Sequence, residues 1–379
     1  MKEKQKQHLK AFSILFLFLF LGYAMIRYSA DISTAVYNSI YSCLTVIIPS
    51  LFGFLVLSSF LVKSDFYAVI SRPFSFISRY VFKIPEEFFS IFLLSLFAGY
   101  PVGARLLYEL ADKKKMRPEE AGRLLCFCYA SSPTFILGLV GIQLFSSIKA
   151  GLMLYFILVL TNLLMAFIMG LFRKVPPKST AMHSVQINPQ ILIHSIESAA
   201  RSLFQVCIMI IFFAILSAIL KSIGCIHFLS GLLSSYFHLN LQEASVIILS
   251  FFEISNVSQL PAFCTDYLPV IAGLFSFGGI CIIFQVVALT RGKVPLRKFL
   301  VVRLLSAGTS GILAYLLFEY FEIGLVLSAS STPSLGIRHI SPIPSICLIA
   351  MTAILLFKTD TAPLQKKKAQ PEHKKQRLL

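Results

Sequence analysis

"SLFAGYPVGARLLYELADKKKMRPEE", residues 95–120, decides the fold. The stretch begins as membrane-grade hydrocarbon, meets Gly99-Tyr100-Pro101-Val102-Gly103 halfway, and ends in Lys113, Lys114, Lys115 and Arg117. If the apolar run from Phe88 to Leu110 crossed a bilayer in one pass, those cations would face the side that the other basic clusters avoid. A re-entrant hairpin removes the conflict. One half-helix enters, the chain turns at the Gly-Tyr-Pro-Val-Gly tip, and a second half-helix leaves on the same side. Glycine permits the positive φ that such a turn needs, and proline cannot continue the incoming helix.

Composition sets the context for that hairpin. The chain has 379 residues, of which 57% are hydrophobic and 13% charged, with a net charge of +17. Mean hydropathy is +0.81, too high for one soluble core to hide the apolar surface. Apolar runs near the spanning length of about 20 residues recur from Phe12 to Phe357, so the chain reads as an all-α polytopic membrane protein. They do not alternate as barrel strands do. The cations sit in short clusters between these runs, which positive-inside topology explains without a nucleic-acid partner. None of the eight cysteines forms a CxxC pair, and the seven histidines are scattered, so no metal or cofactor is expected.

Charge then orders the spans, about eight full crossings with both termini cytoplasmic. The segment "AFSILFLFLFLGYAMI" resembles a signal peptide, with small residues at 28–31, but Arg27 follows it directly and the later spans need an anchor. It is read as an uncleaved first helix, residues 1–34. A first repeat unit occupies 35–173: a span over 38–62, an interfacial helix over 65–83, the hairpin, a span over 121–145 broken at "SSPT" (131–134), and a span over 151–172. A polar, proline-marked linker (174–192) leads to a second unit, 193–322. That unit holds a span over 202–220, a cation-free stretch over 227–238, a hairpin in "ASVIILSFFEISNVSQLPAF" (244–263), a span over 267–290 broken at "SFGG" (276–279), and a span over 300–318. Residues 323–379 give a last helix (343–357) and a basic cytoplasmic tail suited to anionic lipid.

"IFLLSLFAGYPVGARLL" (91–107) and "VIILSFFEISNVSQLPA" (246–262) share a Leu-Ser-aromatic entry and a polar middle, 155 residues apart. The first unit begins outside and the second inside, which makes an inverted-topology repeat. Inverted repeats with broken helices are a transporter plan, because unwound backbone in hydrocarbon is tolerated only within protein or beside a wet cavity. The tips and breaks should meet at mid-depth, where half-helix N-termini favour an anionic group. The candidate site is Gly99, Tyr100, Pro101, Gly103, Ser131, Ser132, Pro133 and Thr134 with Glu253, Ser255, Asn256, Ser258, Ser276, Gly278 and Gly279. Glu253 is an intramembrane acid that can accept a proton, bind a coupling cation or contact substrate; alternatively it caps its own hairpin's amides. Arg105 can grip a carboxylate, or equally pair with Glu109 at i+4 or snorkel.

"SLFAGYPVGARLL", "RLLCFCYASSPTFILGLVG" and "FFEISNVSQL" resemble the three signature stretches of the YlbJ/SpoVV-type sporulation integral membrane proteins. Those belong to the nucleoside-recognition or Gate group, distantly similar to concentrative nucleoside transporters. The resemblance covers about residue 35 to 357, and its most specific part is the Gly-Tyr-Pro-x-Gly-Ala tip followed by a cation. This chain departs from the usual pattern at Ala130-Ser131-Ser132, where members carry Asn or Gly beside the Ser-Pro motif, and at Val257, where they tend to have Gly. The resemblance implies passage of dipicolinic acid from mother cell towards the spore, across the outer forespore membrane.

The expected function is therefore a secondary transporter of a small organic anion, with a proton or Na+ as candidate coupling ion and a homo-oligomer as candidate assembly. A nucleoside or other polar metabolite is the alternative cargo, and a non-transporting sporulation scaffold the alternative class. An enzyme is not expected, because the chain lacks Walker A, HExxH and GxSxG motifs. The hairpin reading has a direct test. With the native cysteines replaced, Lys114→Cys should resist a membrane-impermeant maleimide in intact cells and react in inside-out vesicles; the reverse pattern would make 88–110 a full span.

Overall fold

A computed structural model describes residues 2–176, 185–261 and 267–320, whose regular secondary structure is all helical, without strands. The expected last span (343–357), the basic tail and part of the linker lie outside the described residues. Helix α1 (Lys2–Arg27) is followed by α2 (Ser29–Ser42), which passes through a wide π-helical turn at Cys43–Ile47 into α3 (Ile48–Lys63). Together α2 and α3 form one apolar helix of 35 residues. At 1.5 Å per residue that is about 50 Å, well beyond the roughly 30 Å of hydrocarbon.

The short α4 (Phe66–Ser71) packs on the start of the hairpin, α5 (Phe89–Ala98) and α6 (Tyr100–Asp112). Then come α7 (Pro118–Leu125), a non-helical stretch, α8 (Pro133–Ile136) with its π-helical continuation to Leu144, and α9 (Ile148–Leu171). The second half runs through α10 (Pro189–Ser222), α11 (Cys225–Phe237), α12 (Leu241–Phe252), a 3-10 turn at Ile254–Gln259, α13 (Leu268–Phe277), α14 (Gly279–Thr290) and α15 (Arg297–Tyr320). Each half thus presents a long helix, a short helix, a helix that ends in a turn, a broken helix and a long helix in the same order.

Local sequence accounts for the boundaries. Asn240 and Glu243 close a capping box at the start of α12. Ser132 and Ser147 accept backbone N–H bonds at the starts of α8 and α9. Pro118, Pro133 and Pro189 occupy first-turn positions, where a missing N–H costs nothing. Five helices among the described residues are long and apolar enough to cross a membrane: 29–63, 148–171, 189–222, 268–290 and 297–317. The expected span over 121–145 is divided into pieces too short to qualify, and α1 contributes only the short apolar stretch Phe18–Arg27.

The hairpin folds back on itself. Gly99 has φ +96° and ψ 167°, a region open essentially to glycine alone. A methyl added at Gly103 would lie 3.0 Å from Cβ of Ser95 and overlap the carbonyl oxygen of Cys128. Residues eight apart on a straight helix are about 12 Å apart, so α5 and α6 run side by side. Both hairpin ends reach the same end of the bundle. The Ser90 amide is bonded to Ser71 Oγ at 2.9 Å beside α4, and Lys115 pairs with Asp65 just before α4.

That end is the basic one. Lys63 donates to the His194 carbonyl at 2.6 Å, Arg79 to Pro176 at 3.0 Å, Arg123 to Lys83 at 3.0 Å, and Lys293 pairs with Asp112. At the opposite end Ser222 donates to Asp31 at 2.8 Å. Helices 29–63 and 189–222 therefore lie antiparallel along their lengths. One buried apolar cluster reaches from Cys43 to Ala314, so the two halves share a core.

Close approach at Gly103 gives a stability prediction. Gly103→Ala should destabilise the detergent-solubilised protein by about 1–3 kcal/mol through overpacking against backbone. Gly231→Ala, in α11 with nothing within 4 Å, should be neutral or stabilising by up to about 1 kcal/mol. Thermal unfolding checks both, and equal shifts would refute the packing argument.

Candidate functional site

The Gly99 turn, the 3-10 turn after α12 and the two helix breaks converge. A methyl on Gly99 would lie 3.5 Å from Cβ of Ser132, so the first tip rests on the first break. One on Gly279 would lie 3.4 Å from the carbonyl oxygens of Ser250 and Phe251, so the second tip rests on the second break. Between the two assemblies is a cavity of about 60 Å³, bounded by Gly99, Tyr100, Pro101, Ser131 and Ser132 from one half and Glu253 from the other. Antiparallel helices close its flanks, with Ser50 on α3 and Val206 on α10.

Its polar character comes from few groups. Helix α6 starts at Tyr100 and the Pro133 helix at Ser132, so two helix N-termini direct partial positive charge towards the lining. Ser131 is 1% exposed, and its hydroxyl lies beside that of Tyr100. Gln285 on α14 is buried on the lining and reaches only the soft Cys281 sulfur, at 3.4 Å. Among the described residues, Glu253 is the only carboxylic acid on the lining. It also caps the 3-10 turn: the Ser255 amide donates to Oε1 at 3.2 Å and the Ser255 hydroxyl to Oε2.

Six expected site residues thus line one cavity, and the others support it. Asn256 donates to the carbonyls of Leu249 and Glu253 at 3.2 and 2.9 Å, finishing α12, and Ser258 donates to Ser255 within the turn. Thr134 lies 3.3 Å from the Ser132 hydroxyl. Gly103 serves the hairpin's packing. Arg105 is not on the lining. Its guanidinium pairs with Glu109 at 2.9 Å and bonds to Ser198 and Ser202 on α10, one of the two arrangements the sequence left open.

The halves are joined by bonds to the carbonyl end of α13. Tyr100 donates its hydroxyl to Phe275 O at 2.6 Å, Arg303 reaches Ser276 O at 3.4 Å, and Tyr129 donates to Phe277 O at 3.1 Å. These are three consecutive carbonyls that a broken helix leaves unpaired. Gly278, at φ +87°, is required beside them, because a Cβ there would overlap the Tyr129 hydroxyl. Arg303 is completely buried and also donates to Cys126 O and, at 3.2 Å, to Tyr129 O, at the end of α7. Its guanidinium lies 5.0 Å from the Tyr129 ring centroid. No carboxylate pairs with it among the described residues; two helix ends supply the negative charge.

Sequence reasoning passed over Arg303, Tyr129, Ser50 and Gln285. Arg303 could have been flagged as a cation inside "LVVRLLSAG", but Arg297 and Lys298 just before it make it look like a flanking charge. Gln285 could have been flagged as the lone amide of "GICIIFQVVALT". Among the described residues no group of His, Cys, Asp and Glu is arranged to hold a metal ion.

No family model matches the chain, and no solved structure matches it. It is 24% identical over 307 residues to the sporulation integral membrane protein YlbJ of Bacillus subtilis (strain 168), an alignment spanning 72% of this chain and 74% of that protein. That similarity bears out the YlbJ-type resemblance carried by the three motif stretches, and with it the reading as an integral membrane protein.

The carbonyl clamp can be tested without a substrate. Tyr100→Phe and Tyr129→Phe should each cost about 1–3 kcal/mol by leaving a buried carbonyl unpaired. Arg303→Lys should cost more than either, because an ammonium cannot fork across both helix ends. Thermal unfolding in detergent measures all three; a shift no larger than that of exposed Arg291→Lys would refute the clamp.

Proposed function

We propose that this YlbJ-type membrane protein is a secondary transporter that moves a small organic anion by alternating exposure of the cavity between its two hairpin tips. The observation that carries the reading is the meeting of Gly99-Tyr100-Pro101 with Glu253 around one small polar cavity, flanked by antiparallel long helices. In the membrane reading, the basic end faces the cytoplasm and both hairpins are re-entrant, so the halves form an inverted repeat. Residues 35–173 and 193–322 are its two units. Such a plan lets one site open to either side by rocking one half against the other.

Volume and charge shape the mechanism. At about 60 Å³ the cavity holds roughly four waters, at 10–15 Å³ each, whereas a dry cavity that takes an aromatic ring is nearer 150 Å³. The described arrangement is therefore closed, and solute entry requires the tips to part. The helix N-termini, the Ser131 hydroxyl and the Gln285 amide suit a carboxylate. Glu253 does not, unless it carries a proton, since two carboxylates cannot share a site fully ionised. Protonation of Glu253 would accordingly accompany anion binding, making the coupled species an anion and a proton moving together. Dipicolinate, passing across the outer forespore membrane during sporulation, is the cargo implied by the family resemblance.

Reconstituted in proteoliposomes, the protein should accumulate labelled dipicolinate when the outside is made more acidic, because low pH favours protonated Glu253. Glu253→Gln fixes the neutral form. It should lower gradient-driven uptake about tenfold or more and abolish its pH dependence, the size expected when an essential proton carrier is lost. Uptake by a folded wild type that ignores the gradient and the substitution alike would reject this mechanism. Complete lack of uptake of dipicolinate and nucleosides would favour the scaffold reading.

A further inference from the structure

A second cavity lies at the basic end, away from the tips. It is an open cleft of about 490 Å³ between the end of α3, the turn after α6 and the first turns of α10. Lys63, Lys113 and Arg201 come from those three elements, with His194, Glu197 and Ser198 beside them. Its size falls in the range of small-molecule sites, about 300–1,000 Å³.

The charge in this cleft is unbalanced. None of the three permanent cations has an ion-pair partner among the described residues; Lys63 reaches only the His194 carbonyl, at 2.6 Å. Glu197, the one carboxylate on the lining among the described residues, lies 3.6 Å from His194 Nδ1. The next acid inward, Glu109, is engaged by Arg105. Partial burial holds the Lys113 ammonium below the ordinary lysine range, with Glu109 pulling the other way. Membrane orientation requires only that cations lie near one end. It does not require three of them from three elements to surround one hollow.

We propose that this cleft is a vestibular anion site, in which Lys63, Lys113 and Arg201 hold a carboxylate- or phosphate-bearing small molecule at the cytoplasmic mouth. Its place on a transport path rests on the function proposed above, but the binding itself does not. Ser198 links the two levels. It lines the cleft, while its hydroxyl and carbonyl are gripped from below by buried Arg105, which also bonds to Ser202. An anion arriving at the cleft would therefore touch the same α10 turn that Arg105 fastens to the first hairpin.

The test uses the full chain in phosphatidylcholine nanodiscs, with dipicolinate and inorganic phosphate as probes in isothermal titration calorimetry. The wild type should bind at least one of them. Lys63→Gln/Lys113→Gln/Arg201→Gln should weaken the Kd about tenfold or more, as expected when charge-assisted contacts are lost. The charge-keeping Lys63→Arg/Lys113→Arg variant should retain binding, and helicity by circular dichroism checks that each variant folds. Phosphatidylglycerol in the discs separates the sources of the anion. If it displaces both probes from the wild type, the headgroup is the native occupant; if not, a free solute is. An unchanged Kd in the folded triple variant, or no binding of either probe by the wild type, overturns the proposal. A wild type whose phosphate binding depends on these three cations but which takes up neither dipicolinate nor nucleosides would strike the transport mechanism alone.

Discussion

A helix that stops inside an apolar core leaves carbonyls with no water to turn to, and this structure depends on how those of α13 are satisfied. Phe275, Ser276 and Phe277 present three such oxygens in succession, and Tyr100, Arg303 and Tyr129 take one each. Two of these donors come from the first half of the chain. The third, Arg303, simultaneously holds the end of α7 through Cys126 and Tyr129. One buried charge thereby neutralises two helix C-termini from opposite halves, which is why a bundle so interrupted can still close around a single core. Hydrophobic burial alone would favour uninterrupted helices here. The breaks persist because polar partners are built to meet them.

The same arrangement places the cavity. Tyr100 is at once the first residue of α6, a donor to α13 and part of the lining, so the first tip cannot shift without disturbing the clamp. Across the cavity, the second tip is held more locally: Glu253 caps its own turn, and Asn256 finishes its own helix. The two tips are therefore unequal. One is fastened to the opposite half through a hydrogen bond, and the other keeps its hydrogen bonds within itself and meets the opposite half through the apolar packing of Ile254 and Val257. If either moves as a unit, the physical argument favours the second, whose polar groups can travel together with their bonds unbroken.

Much of this was legible in the sequence, and the failures have physical causes. Gly99, Ser132-Pro133 and Gly278-Gly279 announce breaks because no other residue types tolerate those backbones or start helices so abruptly. The position of Lys113 to Lys115 announces the fold-back, since charge placement obeys a rule independent of side-chain packing. The break expected at 131–134 within 121–145 is present, but apolar periodicity does not give its extent: α7 ends at Leu125, and α8 with its π-helical continuation begins only at Pro133. Arg105 was ambiguous because a guanidinium four residues before a glutamate satisfies itself locally as readily as it binds a ligand, and here it does so. Gln285 and Ser50 were passed over because a single polar residue in an apolar helix carries no periodic signal, only its own isolation.

The distribution of charge along the molecule also constrains any solute that enters it. Among the described residues, the cleft at the basic end offers Lys63, Lys113 and Arg201 without ion-pair partners, whereas the cavity between the tips offers an acid and no cation. Between them stands a paired Arg105–Glu109, neutral as a unit. An anion drawn to the first region loses its counter-charges as it approaches the second, where only helix N-termini, a hydroxyl and an amide remain. Dipolar groups of that kind stabilise charge without holding it as tightly as an arginine would, which suits a site that must release what it binds. An arginine on the lining would bind an anion better and pass it on worse. On the transport mechanism proposed above, the exclusion of both Arg105 and Arg303 from the lining favours passage over storage, with the proton on Glu253 balancing the remaining charge.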